Sequence, residues 1–370
     1  MVKMILSRHA VALLSFLVLF ALAGCPKPSG VNPVGQSRPL PSSTADLIEI
    51  LGEKLHPNRN AAIQALVAKG DEAVQPLIES MKTSEDTRQG ASQALAGIGK
   101  PAVPALIEAL KSPDWQVRYG VIEALKEIGP DASDSVKPLL TTFGMSRDLN
   151  ERVAIMYAVA AIAPTSDDTL GLLQTALLVS ELRDYSLRVL GQIGSGASPT
   201  VPRILTYIEN PDTQTRYEVI SALGQIGPLE GVVTAIAGRL KDSESRVKIK
   251  AADTLGTFGL AAAGAASGLA GALSDTEPEV RKAAARALGA LAPASRVAID
   301  ALIKALQDTN PQVRREVANA LGKLGPDGTR AVNALKRVVE SDEFDYVRTA
   351  AQHAINSIEG RESTQPSTSS

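Results

Sequence analysis

Apolar residues return every three or four positions, in short blocks, between Asp46 and Glu359. Val280, Ala284, Leu288 and Leu291 recur at intervals of four, four and three with Ala287 beside them, which predicts one buried face of an α-helix. Val117, Val121, Ala124, Leu125 and Ile128 repeat the pattern. Such a block stops at glycine, often followed by proline, as in Gly129-Pro130, Gly227-Pro228 and Gly325-Pro326. Glycine supplies a left-handed cap, and proline cannot continue the helix. The blocks alternate with a second kind, AVPALIEAL from Ala102 and VAIDALIKAL from Val297, again of helical period. Several of these carry a proline (Pro76, Pro104, Pro138, Pro202) that is expected to bend the helix from inside. No period-two pattern occurs in this region, so the fold class is all-α.

The blocks are copies of one unit. The phrase from Asp275, DTEPEVRKAAARALG, returns as DTNPQVRREVANALGKLG from Asp308 and as SPDWQVRYGVIEALKEIG from Ser112. Its basic residue recurs as Arg59, Arg88, Arg118, Arg152, Arg183, Arg216, Lys248, Arg281, Arg314 and Arg348, with spacings of 29 to 34 residues. Ten units of two helices each, stacked on their neighbours, make a solenoid. Paired helices, a proline in the first and a basic residue early in the second resemble HEAT repeats. The short loops and Ala-rich phrasing are most similar to the HEAT-like repeats of phycobilisome-lyase relatives. The expected architecture is an α-solenoid of about ten two-helix HEAT-like repeats over residues 46–359.

The resemblance also implies a structural ladder. An acid precedes the basic residue by six positions in Asp242/Lys248, Asp275/Arg281, Asp308/Arg314 and Asp342/Arg348. In HEAT proteins such residues link adjacent repeats by hydrogen bonds, and an acid at the start of the second helix complements its dipole. The same positions hold Lys82, Ser112 and Asn210 in earlier repeats, where the ladder is expected to be incomplete.

Ahead of the repeats, Lys3 and Arg8 precede an apolar run from Ala10 to Leu22 broken only by Ser15. Thirteen helical residues reach about 20 Å, short of a hydrocarbon core of about 30 Å, so the run reads as the apolar stretch of a signal peptide. It ends in Leu22, Ala23, Gly24 and Cys25, which resembles the lipobox of bacterial lipoproteins. That resemblance implies cleavage after residue 24 and a diacylglyceryl group on the Cys25 sulfur, the chain's single cysteine. Pro26 in place of Asp points to the outer membrane, facing the periplasm, if the envelope is Gram-negative. Residues 25–45 are rich in proline and read as an extended tether, and residues 360–370 as a polar tail.

Composition narrows the function. With 38 Lys and Arg against 40 Asp and Glu, the chain lacks the cationic surplus that phosphate binding needs, so no nucleic acid is expected. One Cys and three His are too few for a zinc or iron–sulfur site. His9 belongs to the signal peptide. His56 and His353 lie in the first and last repeats, roughly 100 Å apart at about 10 Å per helix, and neither precedes Glu, unlike the His-Glu pairs of deoxyhypusine hydroxylases. Leu255–Ala272 is rich in Gly and Ala but lacks a phosphate-loop lysine. No catalytic residues, no metal and no cofactor beyond the lipid are expected.

Aromatic residues make up only 3% of the chain, and their placement is uneven. Trp115, Tyr119, Tyr157, Tyr185, Tyr207 and Tyr217 fall within repeats 3 to 6, and Tyr119, Tyr157, Tyr185 and Tyr217 lie off the apolar stripe. If second helices line the concave side, Trp115, Tyr119, Tyr157, Tyr185 and Tyr217 are candidate anchors for a protein partner; the alternative is that they fill gaps in irregular repeats. The resulting reading is a lipid-anchored scaffold that binds a protein through its concave surface. The alternative is a phycobilin-lyase-like enzyme or chaperone handling a cofactor.

Overall fold

The computed structural model describes residues 40–360. The lipobox, Cys25, most of the tether and residues 361–370 lie outside the described residues. Twenty α-helices run from Thr44 to Glu359, joined by short 3₁₀ segments, and no strand occurs among the described residues. They pair into ten repeats, making an all-α solenoid.

Second helices are long and continuous, for example Trp115–Ile128, Thr213–Ile226 and Pro278–Ala290. Side-chain caps start several of them: Asp114 accepts from the Gln116 N–H at 2.8 Å, and Asp212 from the Thr215 N–H at 2.7 Å. Each such cap satisfies a backbone donor that the helix itself leaves unpaired.

First helices differ from the expected form. Pro104, Pro138 and Pro202 do not bend a helix from inside. Each sits in the first turn of an α-segment (Val103–Ala109, Val136–Met145 and Val201–Leu205) that follows a 3₁₀ segment. There the missing proline N–H removes no helical hydrogen bond, so the ring costs little. Only Pro76 stands further inside its helix, Asp71–Ser80.

Second helices of neighbouring repeats approach closely. A Cβ added at Gly289 would lie 3.1 Å from the Ala320 Cα, and one at Gly322 only 2.9 Å from the Ala354 Cα. Successive second helices therefore meet nearly backbone to backbone. Leu125, Leu223, Leu255, Leu288 and Leu321 sit between the layers at 0% exposure, in one continuous apolar core.

The stretch Ser245–Ala272 is long and apolar enough to cross a membrane by composition alone. It is instead a second helix ending at Phe258, a turn through Gly259 at φ 55°, and the first helix of the next repeat.

Candidate functional site

The basic anchors join neighbouring repeats. Arg281 donates from Nε and Nη2 to the Asp308 carboxylate at 2.6 and 2.7 Å, and Arg314 does the same to Asp342 at 2.6 and 2.9 Å. Lys248 reaches Asp275 at 2.6 Å. The acid six residues earlier is met differently, because Arg281 Nη1 donates to the Asp275 backbone carbonyl at 2.9 Å. Arg348, in the last of the described helices, pairs with Asp345 on its own first turn. Each ladder carboxylate also accepts a backbone N–H two residues on, as Asp242 does from Glu244.

Two earlier repeats, expected to be incomplete, are linked as well. Arg216 forms a bidentate pair with Asp242 at 2.9 and 2.8 Å, although its own turn carries Asn210, whose carbonyl it also holds. Arg118 pairs with Glu151 at 2.6 and 3.2 Å while donating to the Ser112 carbonyl. At these two the expectation failed because the acid comes from the following repeat, and the residue at the start of an arginine's own turn contributes only its backbone; at Arg88, after Lys82, the ladder is indeed incomplete.

Burial and these contacts shift the ladder's titration. The Arg314 hydrogen bonds hold Asp342 below its ordinary value against the effect of burial. For Asp242 and Asp275, burial pushes upward, but the Arg216 and Lys248 hydrogen bonds, with backbone N–H donors, leave both carboxyls lowered.

Arg88, Arg152 and Arg183 make no salt bridge among the described residues, although the Glu181 carboxylate feels the charges of Arg152 and Arg183; each of the three lies over an aromatic ring. Arg88 lies 5.6 Å from the Trp115 ring centre and 5.9 Å from that of Tyr119. Arg152 covers Phe143 at 4.4 Å and Arg183 covers Tyr207 at 4.9 Å. Gly120 clears the way for the first of these, since a Cβ there would stand 2.9 Å from the Arg88 Cγ.

That arginine floors a groove of about 800 Å³ along the second helices of repeats 2 to 4. Trp115, Tyr119 and Tyr157 line it together with Glu123, Lys126 and Asp148. Trp115 is 60% exposed at the rim, whereas Tyr119 and Tyr157 are half-buried against the core. Glu123 is paired with Lys126, while Glu85, Arg88 and Asp148 line the groove without a salt bridge, so ring faces and edges are set among both paired and open charges. Tyr185 and Tyr217 are not part of it. Tyr185 stands by Arg188 at 5.4 Å, and Tyr217 by Arg246 and Lys250 at 5.5 and 5.3 Å. The groove is thus centred nearer the start of the array than the span of repeats 3 to 6 implied.

His56 accepts the Asn58 N–H in a turn, and His353 is exposed on the last helix. Among the described residues no group of three or more His, Cys, Asp or Glu is placed to hold a metal ion.

The profile of the HEAT repeats family matches residues 74–160, 172–256, 234–296 and 266–356, most of the chain. The chain belongs to the HEAT-repeat family. Solved structures agree on the fold. Importin beta in an ammonium sulfate condition superposes with a TM-score of 0.58 at 13% identity, over 85% of this chain and 50% of that one. Kap121p gives 0.56 at 15% identity, over 85% and 41%. A further structure holds Kap121p bound to Pho4p, at 0.56 and 15%, with the same coverage. This HEAT-repeat chain therefore spans half or less of those proteins. No curated protein matches it.

Proposed function

We propose that this HEAT-repeat protein is a scaffold that binds a polypeptide partner in the groove of repeats 2 to 4. It is held at a bacterial envelope membrane by a diacylglyceryl group on Cys25, with the outer membrane facing the periplasm as its place in a Gram-negative cell. The observation that carries the binding reading is the gathering of Trp115, Tyr119 and Tyr157 over Arg88 in one open groove. Aromatic rings and arginine are the side chains that most often anchor protein interfaces. Kap121p with Pho4p shows a protein of this fold holding another polypeptide, which supports a protein partner here. An open groove with rim charges suits a polypeptide better than an enclosed chromophore, so the scaffold reading stands ahead of the lyase-like one. Its role is taken as non-catalytic.

The test is photo-crosslinking in living cells from a photoreactive residue replacing Trp115 at the rim, with the same residue at His353 as control. One discrete protein adduct from position 115 and none from 353 supports the groove. Equal, diffuse labelling from both positions contradicts it.

A further inference from the structure

At the links from Arg216 to Arg314 the turn of the next repeat supplies the acid, as Asp242 does for Arg216 and Asp308 for Arg281. In repeat 4 that turn position holds Ser146, six residues before Arg152, and its hydroxyl donates to the Glu151 carboxylate at 2.6 Å. The acid stands inside the helix instead, and Glu151 closes on Arg118 from there. The residue just before the ladder position differs as well. It is Lys241, Ser274, Gln307 and Ser341 in repeats 7 to 10, but Met145 in repeat 4, at 79% exposure.

Beside this link the first helices of repeats 3 and 4 border a groove of about 820 Å³. Ile107, Leu110, Pro138 and Met145 give it an apolar lining, while the Thr141 and Thr142 hydroxyls donate to the Lys137 and Pro138 carbonyls of their own helix. Two of its cations are already answered: Arg118 by Glu151, and Lys111 by Glu108. Lys137 is exposed, lines the groove and forms no ion pair among the described residues. The groove therefore joins an apolar lining to an unpaired ammonium group. Lys137 and Met145 stand on one helix, Val136–Met145, where eight positions span about 12 Å.

We propose that this groove is a second docking site, for an extended segment of a partner polypeptide that carries a large apolar side chain and, about four residues away, a carboxylate. The apolar side chain covers Met145 beside Leu110 and Ile107, and the carboxylate meets Lys137. The spacing follows from the helix, because an extended chain covers about 12 Å in roughly four residues. The unpaired Lys137 selects an acid, whereas apolar contact supplies most of the affinity, since an exposed ion pair is weak. The site lies on the first helices, shares only Glu151 with the aromatic groove and does not depend on it.

The experiment is methyl NMR of the full chain labelled at methionine. Met145 is exposed whereas Met81 and Met156 are fully buried, so its methyl signal reports the groove and theirs the fold. The probe is acetyl-Glu-Ser-Gly-Ser-Leu-Ser-Gly-Ser-Glu-amide, which places a carboxylate four residues from the leucine in either chain direction. It should move the Met145 signal and leave those of Met81 and Met156 in place. Replacing its leucine by alanine should weaken binding about tenfold, and replacing both glutamates by glutamine about threefold. Lys137→Gln should remove the preference for glutamate while binding the glutamine peptide as the parent does, and circular dichroism checks that the variant folds. A Met145 signal that stays still at millimolar peptide overturns the proposal, as does equal binding of the glutamate and glutamine peptides by the parent. So does a Met145 shift on concentrating the chain alone, which would mean that a second copy covers the groove. A shift on adding phosphatidylglycerol vesicles in place of peptide would mark a lipid surface and would also overturn it.

Discussion

Arg216→Ala removes the most deeply buried link of the ladder. The Arg216 side chain is 9% exposed and that of Asp242 2%, so the substitution strands a buried carboxylate. Breaking a buried pair typically costs about 3–5 kcal/mol, more than the intact pair is worth, because the remaining charge loses its compensation. Two features soften the loss here. Arg239 Nη1 stands 3.7 Å from the Asp242 carboxylate, and the Glu244 N–H continues to donate to it. Against this, the carbonyls of Asn210 and Pro211 lose the Nη1 donor. The lower end of the range, about 3 kcal/mol, is expected. Repeat contacts are nearest-neighbour, so the loss should be local before it is global. Hydrogen exchange read by mass spectrometry should show amides of repeats 6 and 7 opening about a hundredfold more often, with repeats 1 to 3 unchanged. Arg216→Ala combined with Asp242→Asn should recover part of the loss. An Arg216→Ala protein within about 0.5 kcal/mol of the parent would refute the reasoning, since that is the range of an ordinary surface substitution.

Three further outcomes are expected. Gly322→Val should cost about 1–3 kcal/mol, as typical overpacking does, because even its Cβ would meet the Ala354 backbone at 2.9 Å; an unchanged urea midpoint would contradict the close helix approach. Asp242, Asp275 and Asp342 have lowered values, so their contribution is present above the ordinary carboxylate pKa of about 3.9 and is lost as pH falls through the lower folded values. Acid melts should therefore steepen below about pH 4 for the parent, and less so for Asp342→Asn. Cys25→Ser should release the protein from membranes, because stable anchoring rests on the acyl chains; retention after a salt wash would contradict lipid attachment.

The repeat architecture was legible because one apolar face per helix is dictated by period alone, and Val280, Ala284 and Leu288 are buried as their spacing requires. What sequence could not show was which repeat supplies each partner. Glu151 occupies the third position of its helix rather than the preceding turn, so no fixed offset from Arg118 within one repeat points to it. Leu177 falls at the acid's offset and yet lies in the core, because side-chain direction in a turn depends on how the chain is drawn across the stack. The aromatic excess was visible, but its division was not. Tyr119 and Tyr157 come together only through the packing of second helices, while Tyr185 and Tyr217 face charged neighbours further along. The prolines misled for a local reason, since a proline in the first helical turn and one in mid-helix look alike until the preceding 3₁₀ segment is seen.

The central claim is that the rings of repeats 2 to 4 serve binding rather than folding. The direct measurement takes the photoreactive residue at position 115 and adds Tyr119→Ala or Tyr157→Ala, reading adduct yield in cells beside the melting temperature of the purified protein. Interface anchors of this type carry about 2 kcal/mol or more, about thirtyfold in affinity. The account predicts that either substitution sharply reduces the adduct while stability falls by well under the roughly 3–5 kcal/mol of a buried ring. An undiminished adduct, or a loss of stability of that full size, would contradict it.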